Sequence, residues 1–291
     1  MANSLGSRTR FSTRHVTRTE MTQSFTEIPL HSWSREGADS GQQDLIAAEV
    51  PVALTYNRVS HVVMMATPAD LEEFGLGFSL TEGLIGSASD MRGIKVIPRD
   101  SGLELAMTIS EEWFDRLAVR RRNMAGRTGC GLCGAENLGQ ALRKVPPVGD
   151  RLKVSNGALQ KAVAGLEGMQ PLQAKTGAAH GAAWCDANGA LLRVREDIGR
   201  HNALDKVIGS LSSTGFNPAS GFVLISSRAS YEMVYKAAAA GIELIAAVSA
   251  PTTLAVRSAI ESGVTLVGFA RPGRHNVYTF PERITGMEPH A

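Results

Sequence analysis

Apolar positions follow two different periods in this chain, and the halves of the sequence differ in which period dominates. Residues 49–56 and 59–66 are β-rich runs separated only by Asn57-Arg58. Asn tolerates a positive φ, so this spacing predicts a β-hairpin. Thr67-Pro68 then offers a capping side chain followed by a proline suited to a first helical position. Leu71, Phe74, Phe78 and Leu80 give a helical stripe that runs out at Glu82-Gly83. Residues 94–98 and 103–110 read as a second strand pair turning at Asp100-Ser101-Gly102, and 111–124 as a helix with Trp113 and Leu117 on one face.

From residue 182 the pattern changes. Runs at 182–186 and 191–194 flank the turn Asn188-Gly189, and then helical and strand patterns alternate. Helices are predicted over 200–211, 231–240 and 252–261, with strands over 222–226, 243–248 and 265–269. Phe222-Val223-Leu224-Ile225 and Leu244-Ile245-Ala246-Ala247-Val248 are continuous apolar runs, the mark of a parallel sheet covered on both faces. The fold class is therefore α/β. Residues 1–43 are Ser/Thr/Arg/Gln-rich without an apolar period and are expected to be a disordered tail, with Met21 an alternative start. The connector Pro146-Pro147-Val148-Gly149-Asp150 divides a smaller α+β domain, 44–145, from an α/β domain, 146–291, two units able to pack as one.

Composition narrows the function classes. A net charge of +2 supplies no general field for nucleic acid, and no apolar run reaches the length of a membrane span. Neither partner is expected. Three cysteines make no disulfide framework, which places the chain in a reducing, cytoplasmic setting.

Two of those three cysteines form Cys130-Gly131-Leu132-Cys133, inside a run with glycines at 126, 129, 131 and 134. So many glycines oppose a regular element, so 126–134 is read as a flexible loop. Three chemistries compete for the pair. Zinc needs four ligands, and no second CxxC or HxxxH supplies the rest, so no metal site is expected. Dithiol–disulfide exchange wants a thiol at a helix head after a strand, and no strand is visible before Cys130. Sulfur transfer through a persulfide wants a nucleophilic thiolate, nearby cations and reach. Arg127 and Arg120-Arg121-Arg122 suit that need, although a run of arginines is equally a solvated helix face.

Other polar groups fall at strand ends. Arg195 to Asn202 is dense in reactive types between a strand and a helix, where α/β sheets bind ligands, although acidic residues at a helix head also serve its dipole. Ser226-Ser227-Arg228-Ala229-Ser230 suits a phosphate, or simple capping. Ser249-Ala250-Pro251-Thr252-Thr253 repeats that position. Phe269-Ala270-Arg271-Pro272-Gly273-Arg274 ends the last strand with two arginines flanking Pro-Gly, a pair able to clamp a pyrophosphate. These consecutive strand ends point to an anionic, nucleotide-like ligand, without a dinucleotide fingerprint or P-loop. His180 is a possible base or thiol partner and more simply a structural residue. Cys185 is read as core.

Residues 49–54, 126–134, 195–206, 226–232, 247–251 and 268–279 together resemble the formate dehydrogenase accessory sulfurtransferases, the FdhD family, from about Asp44 to the C-terminus. Departures at Arg58, where many members have Gly, and at Ala178 and Gly181 do not touch the thiols. The resemblance implies a cytidine-deaminase-like three-layer α/β domain with a smaller N-terminal α+β domain, lacking the deaminase zinc residues, in a homodimer. It implies a sulfur carrier that accepts sulfur from a cysteine desulfurase as a Cys130 persulfide, with Cys133 the second motif thiol. The acceptor it implies is the molybdenum bis(molybdopterin guanine dinucleotide) cofactor, bound by Phe269, Ala270, Arg271, Pro272, Gly273 and Arg274 before insertion into formate dehydrogenase. Two rivals remain: a non-catalytic chaperone of the same cofactor, and a CxxC thiol oxidoreductase.

Overall fold

The computed structural model describes residues 23–122 and 145–286. The first ordered element lies inside the expected tail. Strands β1 (Phe25–Ser34) and β2 (Gly37–Ala47) form an antiparallel hairpin, which corrects the expectation of disorder for that stretch. The hairpin buries little apolar surface, and Trp33 near its tip is 79% exposed. Backbone pairing and local contacts such as Lys175 over the Phe25 ring hold it, and neither leaves a hydrophobic period to read.

β3 (Val50–Tyr56) and β4 (Val59–Ala66) make the expected hairpin, with Asn57 and Arg58 at φ 48° and 70°. Two consecutive left-handed residues match the twist of the flanking strands. β5 (Met91–Arg99) and β6 (Gly102–Ile109) complete a four-stranded sheet in the order β4-β3-β6-β5, in which β3 and β6 are parallel. Helix α1 (Leu71–Thr81) covers one face, packing Phe74 and Phe78 over Val52, Leu54, Leu105 and Met107. α1 begins later than expected. Its N-cap is Asp70, at φ 53° and without a side-chain cap, because Thr67 is committed elsewhere, as described below. Helix α2 (Glu111–Arg122) buries Leu117 and ends the first described segment.

The second segment opens with β7 (Val154–Ser155), paired with β14 (Ile284–Thr285), and helix α3 (Asn156–Leu166), capped by the Ser155 hydroxyl accepting from the Ala158 N–H. Helix α4 (Pro171–Thr176) follows. The main sheet then forms from β8 (His180–Asp186), β9 (Leu191–Asp197), β10 (Gly221–Ile225), β11 (Leu244–Ala247), β12 (Thr265–Arg271) and β13 (Arg274–Val277), in the order β13-β12-β11-β10-β8-β9. β10, β11 and β12 are parallel to one another, as the apolar runs predict. Helices α5 (Arg200–Ser212), α6 (Tyr231–Ala239) and α7 (Thr253–Ser262) connect β9 to β12.

Alternate strand residues go to opposite faces. Val223, Ile225, Ile245 and Leu266 pack under α5, α6 and α7, while Phe222, Leu224, Leu244 and Val267 pack under α3. The arrangement is mixed α/β, with a sheet between two helical layers. The two halves meet where α1 lies on α5. A Cβ on Gly77 would come within 1.8 Å of the Asp205 carbonyl oxygen, and one on Gly209 within 1.9 Å of that of Glu73, so the two helix backbones touch.

Candidate functional site

Because β10, β11 and β12 run parallel, the segments leaving their C-terminal ends share one edge of the sheet. They are laced together there: Val248 N–H donates to Ile225 O at 2.9 Å, Ala229 N–H to Ala250 O at 3.2 Å, and Phe269 N–H to Ser249 O at 3.0 Å. The strand ends singled out by sequence therefore do converge. β8 runs the other way, so its first residue, His180, sits at the same edge, and Gly181 and Ser226 are joined by Gly181 N–H to Ser226 Oγ and Ser226 N–H to Gly181 O, both 2.9 Å.

At the β12 end the chain makes a strained turn. Phe269 holds φ 51°, uncommon for a bulky residue, and the β12–β13 register slips between Gly268 and Arg271. Gly268 permits the bend, since a Cβ there would meet Pro251 Cδ at 2.7 Å. Pro272 and Gly273, the latter at φ 80°, close a two-residue turn between Arg271 and Arg274, which are cross-strand partners. Partners directly opposite project from one face, so the two exposed guanidinium groups share a side of this turn. Arg271 reaches back to Val248 O at 3.5 Å. This paired, solvent-facing geometry fits a pyrophosphate-bearing ligand.

A residue that sequence reasoning missed braces the turn. Gln160, on α3, accepts from the Gly273 N–H at 2.8 Å through Oε1, and its amide nitrogen lies 3.0 Å from His275 Nδ1. Desolvation pushes the half-buried His275 below its usual value, so the ring is neutral and Nδ1 can accept. The readable signal was Ser155 as a cap before Leu159, Val163 and Leu166 at helical spacing.

The segment Arg195 to Asn202 is split by the structure. Arg195, Glu196 and Asp197 lie on β9 instead of in a loop, and their work is structural. Arg195 bonds Glu73 on α1 at 2.8 Å. Glu196 accepts from the N–H groups of Leu172 and Gln173, both at 2.8 Å, and so caps α4. Asp197 is fully buried, 2.7 Å from Lys206 Nζ, and accepts from the Thr67 N–H at 3.0 Å. Lys206 in turn donates to Thr67 O at 3.1 Å, and the Thr67 hydroxyl accepts from Ile198 N–H, so Thr67 joins the two halves and does not cap α1.

Arg200 and His201, in the first turn of α5, stay at the sheet edge. His201 Nε2 faces Glu232 on α6 at 3.7 Å, and Glu232 also accepts from Ser230 Oγ at 2.8 Å. Those contacts hold the Glu232 carboxyl at about 2. His180 is pushed below its usual value by burial first, then by the Arg200 and His201 charges. Arg228 is exposed beside this edge. Cys185 is core, as expected, with burial raising its thiol to about 12.

Cys130, Cys133 and the 126–134 loop lie outside the described residues, as do the side chains of Arg120, Arg121 and Arg122. Among the described residues no cluster of His, Cys, Asp and Glu is arranged to hold a metal, and no helix is long and apolar enough to cross a membrane.

With this geometry in view, the chain matches the model of the FdhD/NarQ family over residues 47–285. It is 52% identical over 243 residues to the sulfur carrier protein FdhD of Bordetella petrii, covering 84% of this chain and 87% of that one. It is also 52% identical over 264 residues to the sulfur carrier protein FdhD of Cupriavidus necator, covering 89% and 91%. A crystal structure from Desulfotalea psychrophila, provisionally described as a formate dehydrogenase accessory protein, superposes with a TM-score of 0.71 at 28% identity, over 90% of this chain and 100% of that one.

Proposed function

The chain belongs to the FdhD/NarQ family, and from that premise we propose that it is a sulfur carrier required for formate dehydrogenase activity. Its near relatives carry the sulfur carrier name across most of their length. In this reading the Cys130 thiolate attacks the persulfide of a cysteine desulfurase. The donor's sulfur–sulfur bond breaks, a new one forms on Cys130, and the donor cysteine leaves as thiolate. Cys133 assists by exchange or release.

The acceptor substrate is the molybdenum bis(molybdopterin guanine dinucleotide), held through its phosphates by the turn Phe269 to Arg274 and sulfurated before insertion into formate dehydrogenase. The observation that carries the acceptor half is the exposed Arg271/Arg274 pair on one side of a strained, braced turn at the sheet's carboxyl edge. A homodimer in the cytoplasm, with the larger domain of cytidine-deaminase-like ancestry, completes the proposal.

Mass spectrometry tests it against the rival readings. After incubation with a cysteine desulfurase and cysteine, Cys130 is expected to gain one sulfur atom. A host strain carrying Cys130→Ala is expected to lose formate dehydrogenase activity although the protein still folds. Full activity in that strain would favour a cofactor chaperone, and a Cys130–Cys133 disulfide without added sulfur would favour an oxidoreductase.

A further inference from the structure

The β1–β2 hairpin is an arm with one uncovered face. Its base rests on α4, where Lys175 lies over the Phe25 ring at 4.6 Å. Residues paired directly across two strands share a face, and successive residues take opposite faces. Ile28 pairs with Asp44 and Ile46 with Thr26, whereas Phe25 pairs with Ala47. Ile28 and Ile46 are therefore diagonal neighbours on the face turned away from Phe25, and they are 41% and 43% exposed. Among the described residues, the arm's side-chain hydrogen bonds stay inside the arm. A two-stranded hairpin alone is marginally stable in water, so this arm calls for a second supporting surface.

The four-stranded sheet has the matching surface. α1 covers the face of Val52, Leu54, Leu105 and Met107. On the other face Pro51 pairs with Met65 and Ala53 with Val63, and Ala106 and Ile97 extend the apolar surface. The carboxylate among them, Glu104, is engaged by the Thr55 hydroxyl and Arg99. A sheet face left to water is normally polar, yet Val63 and Met65 are 55% and 46% exposed. Contiguous exposed apolar surface of this kind marks a contact site.

The isoleucines of the arm and the patch on the sheet are both uncovered within one chain, so the cover for each comes from outside it. We propose that two copies of this chain exchange arms, each arm lying across the open sheet face of the other copy. The contact is reciprocal, as a two-fold dimer requires. Strand dimensions give each arm a footprint of roughly 33 by 10 Å, so two arms on two sheets bury on the order of 1,200 Å², enough for a specific interface. Charge agrees. The arm carries Glu27, Glu36, Asp39 and Asp44 against Arg35, whereas the sheet face and its turns carry Arg58, Lys95 and Arg99 against Glu104 and Asp100. Asp44 shares the Ile28 face of the arm, and Lys95 shares the open face of the sheet through its partner Ala106. The inference deepens the homodimer reading and rests on it.

Analytical ultracentrifugation and cross-linking test it. Wild type is expected to sediment as a dimer at micromolar concentration. Ile28→Glu/Ile46→Glu on the arm and, separately, Val63→Glu/Met65→Glu on the sheet should each raise the dissociation constant about tenfold or more, since each buries unpaired charge in the contact. Ile260→Glu, at an exposed position on α7, should leave association unchanged. A photo-cross-linking residue in place of Ile28, in a mixture of 15N-labelled and unlabelled chains, is expected to join the arm of one chain to residues 51–65 of another. That measurement decides the matter even where a glutamate variant does not fold. A dimer indifferent to both glutamate pairs, one weakened equally by Ile260→Glu, or cross-links confined to a single chain or to other segments would overturn the exchange and leave the homodimer standing. A wild type that sediments as a monomer would overturn both.

Discussion

Burial sets the chemistry of single residues in this chain, and it separates one thiol from the other two. Cys185 lies in the sheet interior with its thiol pushed to about 12, so thiolate is scarce at neutral pH. Maleimide labelling of the native protein is therefore expected to leave Cys185 unmodified, while urea-unfolded protein reacts at all three cysteines. Rapid native labelling of Cys185 would contradict its place in the core. His180 gives a second test. Its folded pKa lies below the unfolded value of 6.5, because burial and the Arg200 and His201 charges disfavour the imidazolium. The unfolded chain therefore takes the proton first, and this contribution to stability is complete above 6.5 and lost as pH falls through the lower, folded value. Wild type should lose more stability than His180→Gln on acidification through the histidine range, measured by urea midpoints. Equal losses would mean that His180 is not perturbed. The sequence showed that His180 and Cys185 were of reactive types, but their differing surroundings come from strand pairing and were not visible along the chain.

At the scale of elements, periodicity was readable wherever a face is buried. The β3–β4 hairpin, α1 beyond its first turn, and the alternation from β8 to β12 all bury apolar stripes, and all were legible. The β1–β2 hairpin buries almost none, so composition suggested a tail. Glu196 and Asp197 looked like ligand-binding groups because their real partners, the head of α4 and Lys206 with Thr67, are brought up only by tertiary contact. Gln160 was missed for the same reason. Its single side chain joins α3 to Gly273 within the Arg271–Arg274 turn and to His275 just beyond it. Gln160→Ala is expected to weaken binding of guanosine diphosphate, an end fragment of the proposed acceptor, severalfold, matching about 1 kcal/mol for a lost hydrogen bond. Calorimetric titration checks this, and unchanged affinity would dissociate the brace from the site. The α1–α5 contact is tested by Gly209→Ala. The added methyl meets the Glu73 carbonyl, so the helices must separate, at a cost of about 1–3 kcal/mol. Gly168→Ala, with open space around it, should be close to neutral in the same urea titration.

For the whole molecule the question is what makes the two halves, one built on the four-stranded sheet and one on the six-stranded sheet, behave as one body. Backbone contact between α1 and α5 brings them together, and a buried ionic knot fixes the register. Lys236 on α6 lies 2.8 Å from Asp205 on α5 and 3.1 Å from Glu82 at the end of α1, and it donates to the Thr81 hydroxyl at 2.9 Å. Thr81 in turn donates to Asp205 at 2.7 Å. Taking such charges out of water costs about as much as their attraction returns, so the knot contributes specificity more than net stability. Removing one partner leaves the other charge buried and alone, which typically costs about 3–5 kcal/mol. Lys236→Met should be the most damaging single change, because it removes the counter-charge of the fully buried Asp205 carboxylate, and Asp205→Ala should follow. Asp205→Leu with Lys236→Met leaves only Glu82, which has access to solvent, and should recover most of the loss. Urea unfolding of the three variants decides the point. A double variant no more stable than Lys236→Met would mean that the knot supplies net stability, and the α1–α5 seam would then depend on charge instead of on close packing.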